Sequence, residues 1–565
     1  MGFAPMSLAS RMIGNRYGLP PASGRAKAEK GLQIPGADGQ ILLADRYYPA
    51  DSGDSSDTGE RTPPPILLIR SPYGRGALFG AGQGLLFAER GYQVVIQSCR
   101  GTSGSAGPFV PQVHEKADGL AALEWIRSQP WYGGTIATIG PSYLGYTQWA
   151  VAGEKEAQLA AIVPTITMPH FALPTYDGGS FSLANSLEWS SMMANMRQGG
   201  LAMARVMLAQ LRGGSPALRR GMATLPLSES DTAVLGRHVD FYQDWLTHGP
   251  DDEYWTRQDH RPTLANVTAP VLMVTGWYDI FLPWQIESYQ LLRDAGNPPR
   301  LVVGPWFHVS RDAAGPTMTE TLAFLDAQVR GIGPAPDPIV RAYVTGEGGG
   351  WREYPHWPPP GIVPTTYHLQ PGGNLSTDEP AAGGEPDVIR YDPADPTPSL
   401  GGPRLGRDAG AQDNAALEAR ADVLTYTGPP LAAPVQFAGT VTASIEASSD
   451  RETFDVFVRL CDVSPAGVST NVCDRLVRLA PDPQAPPGTV RAASLQLWPA
   501  AHHFQTGHRI RVQVSCGAHP RYARNLGTGE PLASATTMLT ATQHIHHDAA
   551  HPSSVVLPVL PTAAS

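Results

Sequence analysis

A serine flanked by glycines, directly after a short apolar run, is the feature that most restricts how this chain can fold. Thr135 to Ile139 has the length and composition of a buried strand, Gly140-Pro141-Ser142-Tyr143-Leu144-Gly145 follows it, and the helix-competent YTQWAVAGE comes next. A strand that turns into a helix within a few residues strains the backbone of its central residue and leaves no room for side chains beside it. That is the demand glycines meet in a nucleophile elbow, and the segment is read here as one of the G-x-S-x-G type. A tight turn with an incidental serine would carry the same letters, so the reading depends on what surrounds it.

The surroundings are those of a parallel α/β sheet. Leu32 to Pro35 and Ile41 to Tyr48 read as strands around an Asp38-Gly39 turn, and Ile66 to Ile69 and Val94 to Gln97 are short apolar runs typical of buried strands. Between Lys116 and Arg127, apolar Leu120, Leu123 and Ile126 recur every three residues, which predicts one buried helix face. From about Thr167 to Pro262 the pattern becomes Met-, Leu- and Ala-rich, as in Leu201 to Leu211 and Val239 to Leu246, and predicts an inserted helical cap. Strand and helix signals return at Val271 to Thr275, Leu301 to Val303 and Glu320 to Val329.

Beyond about Asp337 short alternating runs take over: Ile339 to Val344, Thr365 to Leu369, Val435 to Ala447, Phe454 to Cys461, Ala492 to Leu497 and Ile510 to Val514. They predict a separate β-sandwich, with Pro371 to Arg420 as a long surface excursion. The fold class is therefore α/β. The predicted boundaries are a core at 1–166 and 263–336, a helical cap at 167–262 and a β domain at 337–565. A length of 565 residues suits that division, and 60 glycines and 55 prolines suit a turn-rich portion.

Composition narrows the function classes. With 41 basic against 51 acidic residues the formal charge is −10, and no long Lys/Arg block stands out, so neither nucleic acid nor an anionic membrane surface is an expected partner. There is no apolar run of about 20 residues and no signal-peptide pattern, so a soluble, cytoplasmic protein is expected. Cys99, Cys461, Cys473 and Cys516 form no zinc-type spacing and are read as buried thiols, with a Cys461–Cys473 bridge across a hairpin left open.

A nucleophilic serine needs a base to take its proton and a carboxylate to orient that base. In an α/β-hydrolase these follow in the order Ser, Asp or Glu, His, on loops after late strands. Gly276-Trp277-Tyr278-Asp279 follows Val271 to Thr275, and Gly304-Pro305-Trp306-Phe307-His308 follows Leu301 to Val303. Asp279 alone could cap a helix and His308 alone could be a loop histidine; three placements in order make the set. For the oxyanion, the N–H of Tyr143 is one donor by construction of the elbow. Tyr73, in Ser71-Pro72-Tyr73-Gly74 after the strand Ile66 to Ile69, is a candidate second donor through its hydroxyl.

The joint set of SPYG, SCRGTSGSAGPF, EWIRSQPWYGGTIATIGPSYLGYTQ, GWYDIF and GPWFH resembles the cocaine-esterase-like hydrolases, a group that also includes X-Pro dipeptidyl-peptidases, glutaryl-acylases and α-amino acid ester hydrolases. The C-terminal LWPAAHHFQTGHRIRVQVSCGAHPRYARNLGTGE resembles that family's jelly roll, so the likeness covers about the whole chain. It implies an α/β-hydrolase core, an inserted helical cap and a C-terminal β jelly roll that helps wall the site. It also implies Ser142 as nucleophile, Asp279 and His308 as its partners, and the Tyr73 hydroxyl with the Tyr143 N–H as oxyanion hole.

Two departures bear on substrate. Many relatives carry Asp before the x-R-G segment, where this chain has Gln97-Ser98-Cys99-Arg100-Gly101. The segment after Asp279 is apolar, Ile280, Phe281, Leu282, Pro283 and Trp284, where α-amino ester hydrolases are acidic to bind an ammonium. An apolar or aromatic acyl group is thus expected, with Phe281 and Trp284 as candidate wall residues or plain core. Glu188, Trp189 and Met192, Met193 and Met196 either line the pocket from the cap or form its core. His544, His546, His547 and His551, like His502, His503 and His508, are read as structural, and no metal or cofactor is expected.

The reading is a serine hydrolase of small-molecule carboxylic esters, with amides open. An X-Pro-type peptidase or β-lactam acylase is the rival within catalysis, and a non-catalytic binding protein on the same fold is the rival outside it. The chain leaves its oligomeric state open.

Overall fold

The computed structural model describes residues 8–50, 63–76, 80–196, 215–406 and 408–561. Ten strands build the sheet behind Ser142: β1 (Ala26–Pro35), β2 (Ile41–Pro49), β3 (Ile66–Ser71), β4 (Gln93–Ser98), β5 (Ile136–Pro141), β6 (Ala161–Thr165), β7 (Leu272–Tyr278), β8 (Arg300–Phe307), β9 (Val340–Val344) and β10 (Gly350–Tyr354). Their spatial order is β1-β2-β4-β3-β5-β6-β7-β8-β9-β10. Pairing is parallel from β4 through β9 and antiparallel at both margins. β3, β4 and β7 are buried along their whole length. That burial explains their unbroken apolar runs, because helices cover both faces of a parallel sheet.

The helix Glu115–Arg127 buries Ala122, Leu123 and Ile126 against Leu68, Val95 and Ile136 of the sheet, close to the predicted face. On the other face Ala314–Arg330 buries Leu322, Phe324 and Leu325. β6 has no counterpart in the sequence reading: it has five residues and includes Pro164, too short for periodicity to show.

The chain leaves the sheet after β6 and returns at β7, and the cap lies between. Its helices include Leu183–Met196, Pro216–Ala223, Ser230–Leu235 and Asp240–Thr247. The predicted Val239 to Leu246 helix is the last of these; the predicted Leu201 to Leu211 segment lies outside the described residues. Phe181, Leu183, Leu187, Tyr242 and Trp245 form the cap's own core.

The β domain is a 13-stranded arrangement whose core includes Leu369, Phe437, Ile445, Val458, Val512 and Leu557. Two expectations change here. The run at Ile339 to Val344 does not join the sandwich's strands: β9 pairs in parallel with β8, and β10 antiparallel with β9, so the hydrogen bonding of the α/β sheet continues to Tyr354. Pro371 to Arg420 is not wholly a surface excursion either. Asp387–Tyr391 pairs antiparallel with Ala541–His546 and buries Ile389 and Tyr391. The four cysteines are free and buried, and Cys473 faces Leu460, not Cys461, because a register shift separates the pairings.

The β domain packs on both other parts. Trp498 meets Trp284 edge-on at 5.8 Å between ring centroids. At the root of the cap, buried Asp177 takes Arg475 at 2.8 Å and the Tyr522 hydroxyl at 2.5 Å. Main-chain bonds continue the seam, Ala184 N–H donating to Pro520 O and Ala523 N–H to Phe181 O.

Candidate active site

Ser142 sits at the end of β5 with φ 57° and ψ −124°, one of the few residues other than glycine with positive φ. Such a conformation is costly for a residue with a Cβ and persists only where its surroundings hold it. The Ser142 N–H donates to Thr165 O at 2.9 Å, and Thr167 Oγ1 donates to Ser142 O at 2.7 Å. The glycines make the space. Gly140 has φ 144°, and a Cβ there would lie 2.5 Å from Leu144 Cβ; a Cβ on Gly145 would lie 2.5 Å from Thr167 Cγ2. The G-x-S-x-G reading is corrected in one respect: the second glycine stands at Gly145, one place late, because the close approach to Thr167 occurs there.

The two expected partners converge on this hydroxyl. Asp279 ends the turn after β7 and is fully buried; His308 follows β8. His308 Nδ1 lies 2.7 Å from Asp279 Oδ2, and His308 Nε2 lies 3.1 Å from Ser142 Oγ. A carboxylate only accepts, so Nδ1 carries the proton and donates to Asp279, leaving Nε2 to accept from the serine hydroxyl. The other Asp279 oxygen accepts the N–H of Phe281 at 2.8 Å. Hydroxyl, imidazole and carboxylate thus stand in series, the arrangement that lets a serine attack a carbonyl as its proton leaves.

Tyr73 reaches the serine from the loop after β3. Burial pushes its phenol up to about 12, against hydrogen bonds with Trp189 and Ser142 that pull it down, so it is a proton donor at any ordinary pH. Trp189 Nε1 donates to its hydroxyl at 3.0 Å. Tyr143, the residue after Ser142, is held at its far end. Its phenol donates to Glu115 Oε1 at 2.9 Å and accepts from Gln112 N–H at 2.7 Å, and Glu115 pairs with buried Arg70 at 2.8 Å. Gln97, at the end of β4, accepts from Arg70 Nε at 2.9 Å and so belongs to this buried support.

The wall candidates separate. Phe281 stands edge-on to the His308 ring at 5.3 Å, beside the reacting groups. Trp284 does not line the site: it is 4% exposed and locked between Trp498 and His170, in the seam between core and β domain. Glu188, next to Trp189, is a carboxyl that burial raises to about 7, against the charge of Arg404. Sequence reasoning missed Glu115 and Arg70, which sit in helix and strand with no motif to mark them.

Sequence comparison decides the family. Residues 38–310 match the model of the X-Pro dipeptidyl-peptidase S15 family, and residues 333–556 that of the X-Pro dipeptidyl-peptidase C-terminal non-catalytic domain. Cocaine esterase of a Rhodococcus species is 32% identical over 95% of this chain and 99% of its own. The chain belongs to the cocaine-esterase-like serine hydrolases. A putative serine esterase of Mycobacterium bovis, another relative, is 24% identical over 76% of this chain and 79% of its own. Two solved structures share the fold of these hydrolases from end to end. An α-amino acid ester hydrolase matches with TM-score 0.77 at 23% identity, covering 96% of this chain and 98% of its own. An aminopeptidase of a Thaumarchaeota archaeon matches with TM-score 0.77 at 22% identity, covering 99% of each.

Several histidines lie away from the serine. His502 and His508 both bond Asp462, at 3.1 and 2.8 Å. Among the described residues, His546, Asp548 and His551 bring potential ligand atoms within 4.8 Å of one another. Asp548 already accepts the N–H groups of Ala550 and His551, and His546 Nε2 bonds Ser448 Oγ. Among the described residues, no helix is long and apolar enough to cross a membrane.

Proposed function

We propose that this serine hydrolase cleaves carboxylic esters of small molecules, with an apolar or aromatic acyl group, through an acyl-enzyme on Ser142. The observation that carries the reading is the unbroken series from Ser142 Oγ to His308 at 3.1 Å and on to Asp279 at 2.7 Å. Ser142 Oγ attacks the ester carbonyl as His308 Nε2 takes its proton. The tetrahedral oxyanion receives hydrogen bonds from the Tyr73 hydroxyl and the Tyr143 N–H. Collapse breaks the bond to the alcohol, which leaves with the proton from His308, and water repeats the sequence to release the acid and restore Ser142.

The acyl preference follows from Phe281, whose ring stands edge-on to His308, and from the apolar segment around it. The test is a series of p-nitrophenyl esters from acetyl to benzoyl, run beside a matched p-nitroanilide. Turnover of the esters with the benzoyl member favoured, and at least tenfold slower anilide cleavage, supports the proposal. Preferential anilide cleavage assigns the chain to the amide-cleaving side of its family. A folded protein that cleaves neither is a binding protein on this fold.

A further inference from the structure

We propose that Trp189, on the cap helix Leu183–Met196, is a positioning residue that sets both oxyanion donors of the core; this rests on the ester-hydrolase reading above. A single cap side chain touches each half of the pair. Its indole N–H donates to the Tyr73 hydroxyl at 3.0 Å. Its ring lies parallel to that of Tyr143, with centroids 6.1 Å apart and planes 7° apart.

Direction is fixed by chemistry in the first contact. Indole nitrogen only donates, so Tyr73 accepts there and its own proton points elsewhere. The Tyr73 hydroxyl also has the Ser142 side chain as a hydrogen-bonding neighbour, and that is where the oxyanion forms. Accepting a bond also polarises the phenol and makes its O–H a stronger donor. The second contact closes a box around Tyr143: Glu115 and Gln112 hold the phenol end and Trp189 holds the ring face, so the N–H after the nucleophile keeps its aim.

Trp189 is itself held by the third part of the molecule. Its helix starts where Ala184 N–H donates to Pro520 O of the β domain, and Phe241 and Trp245 of the cap pack on its ring at 5.6 and 5.7 Å. Docking of cap on β domain is thereby linked to the state of the oxyanion hole. A pocket-wall tryptophan would act through contact with the acyl group, and its loss would scale with acyl size. A residue acting through Tyr73 affects every acyl group alike.

The experiment is a double-mutant cycle with Trp189→Phe, Tyr73→Phe and the pair, read on p-nitrophenyl acetate, p-nitrophenyl benzoate and the rate of Ser142 phosphonylation by a fluorophosphonate. Trp189→Phe is expected to lower kcat about five- to fiftyfold for both esters with KM within about threefold, and to slow phosphonylation in parallel. Phe at 189 keeps a ring on Tyr143 and loses only the N–H to Tyr73, so the double variant is expected to be no slower than Tyr73→Phe within about twofold. Additive losses, a loss confined to the benzoyl ester, or a wild-type rate in Trp189→Phe overturns the inference while the ester reading stands. A wild-type protein that neither turns over esters nor labels overturns both. If Trp189→Phe does not fold, benzothienylalanine at position 189 keeps the ring shape without the N–H, and the same outcomes apply.

Discussion

Asp279 Oδ2 lies 2.7 Å from Nδ1 of His308, and no part of Asp279 is exposed to solvent. A buried carboxylate in that place selects the histidine tautomer whose Nε2 is free to accept from Ser142. Asp279→Asn keeps the shape but can donate to Nδ1, which favours the wrong tautomer. The expected outcome is a kcat lower by about ten-thousandfold with a nearly unchanged thermal midpoint. Ester kinetics beside a melting curve check it, and a loss below tenfold would remove Asp279 from the relay.

Tyr73→Phe removes the hydroxyl proposed as an oxyanion donor and leaves the ring. A drop in kcat of about ten- to a thousandfold with a smaller change in KM is expected, because the bond strengthens as charge develops on the oxygen. Its phenol is held up to about 12, so the wild-type profile is expected to show no loss of activity from Tyr73 ionisation between pH 7 and 10. An alkaline fall that disappears in Tyr73→Phe would contradict this.

Gly145→Ala tests the elbow. Within a helix this change ordinarily stabilises by up to about 1 kcal/mol. Here the new Cβ would lie 2.5 Å from Thr167 Cγ2 and 2.8 Å from Thr167 Oγ1, and Thr167 is the donor that holds the Ser142 carbonyl. The expected outcome is a destabilisation of about 1–3 kcal/mol in chemical denaturation, with lower kcat. A stabilised, fully active variant would mean that the elbow relaxes freely.

The convergence of Ser142, His308 and Asp279 was legible because each follows an apolar run at the carboxyl end of a parallel strand, where local sequence and topology agree. Ser142, Asp279 and His308 needed no knowledge of packing. Trp284 did: its place five residues after Asp279 looks the same from sequence whether the ring faces substrate or Trp498, and only the docking of the β domain decides. The same limit misplaced β9, since an alternating run such as Ile339 to Val344 does not reveal which sheet it joins. Trp189 carries no motif, and its bond to Tyr73 joins residues 116 positions apart. Such contacts arise from assembly of cap on core and leave no periodic trace.

His260 makes stability depend on pH. Burial, with the charge of Lys116 adding to it, lowers its pKa from 6.5 to about 4, and Asp259 opposes the shift. Its ring packs on Tyr146 at 5.2 Å. Between those values the unfolded chain binds a proton that the folded chain refuses, so the contribution is complete above about pH 6.5 and is lost as pH falls toward 4. The slope is at most about 1.4 kcal/mol per pH unit for one group. Thermal midpoints of wild type and His260→Gln across pH 4 to 7.5 are expected to converge toward acid, the variant falling less steeply. Parallel curves would exclude His260 as a source of the acid sensitivity.

The assignment of Ser142 as nucleophile is tested most directly by incubating the folded protein with a small fluorophosphonate and measuring intact mass, then mapping the modified peptide. One adduct per chain at Ser142, loss of ester turnover in step with labelling, and neither labelling nor turnover in Ser142→Ala are expected. An unlabelled wild-type protein, an adduct on another residue, or ester turnover that survives in Ser142→Ala would contradict it.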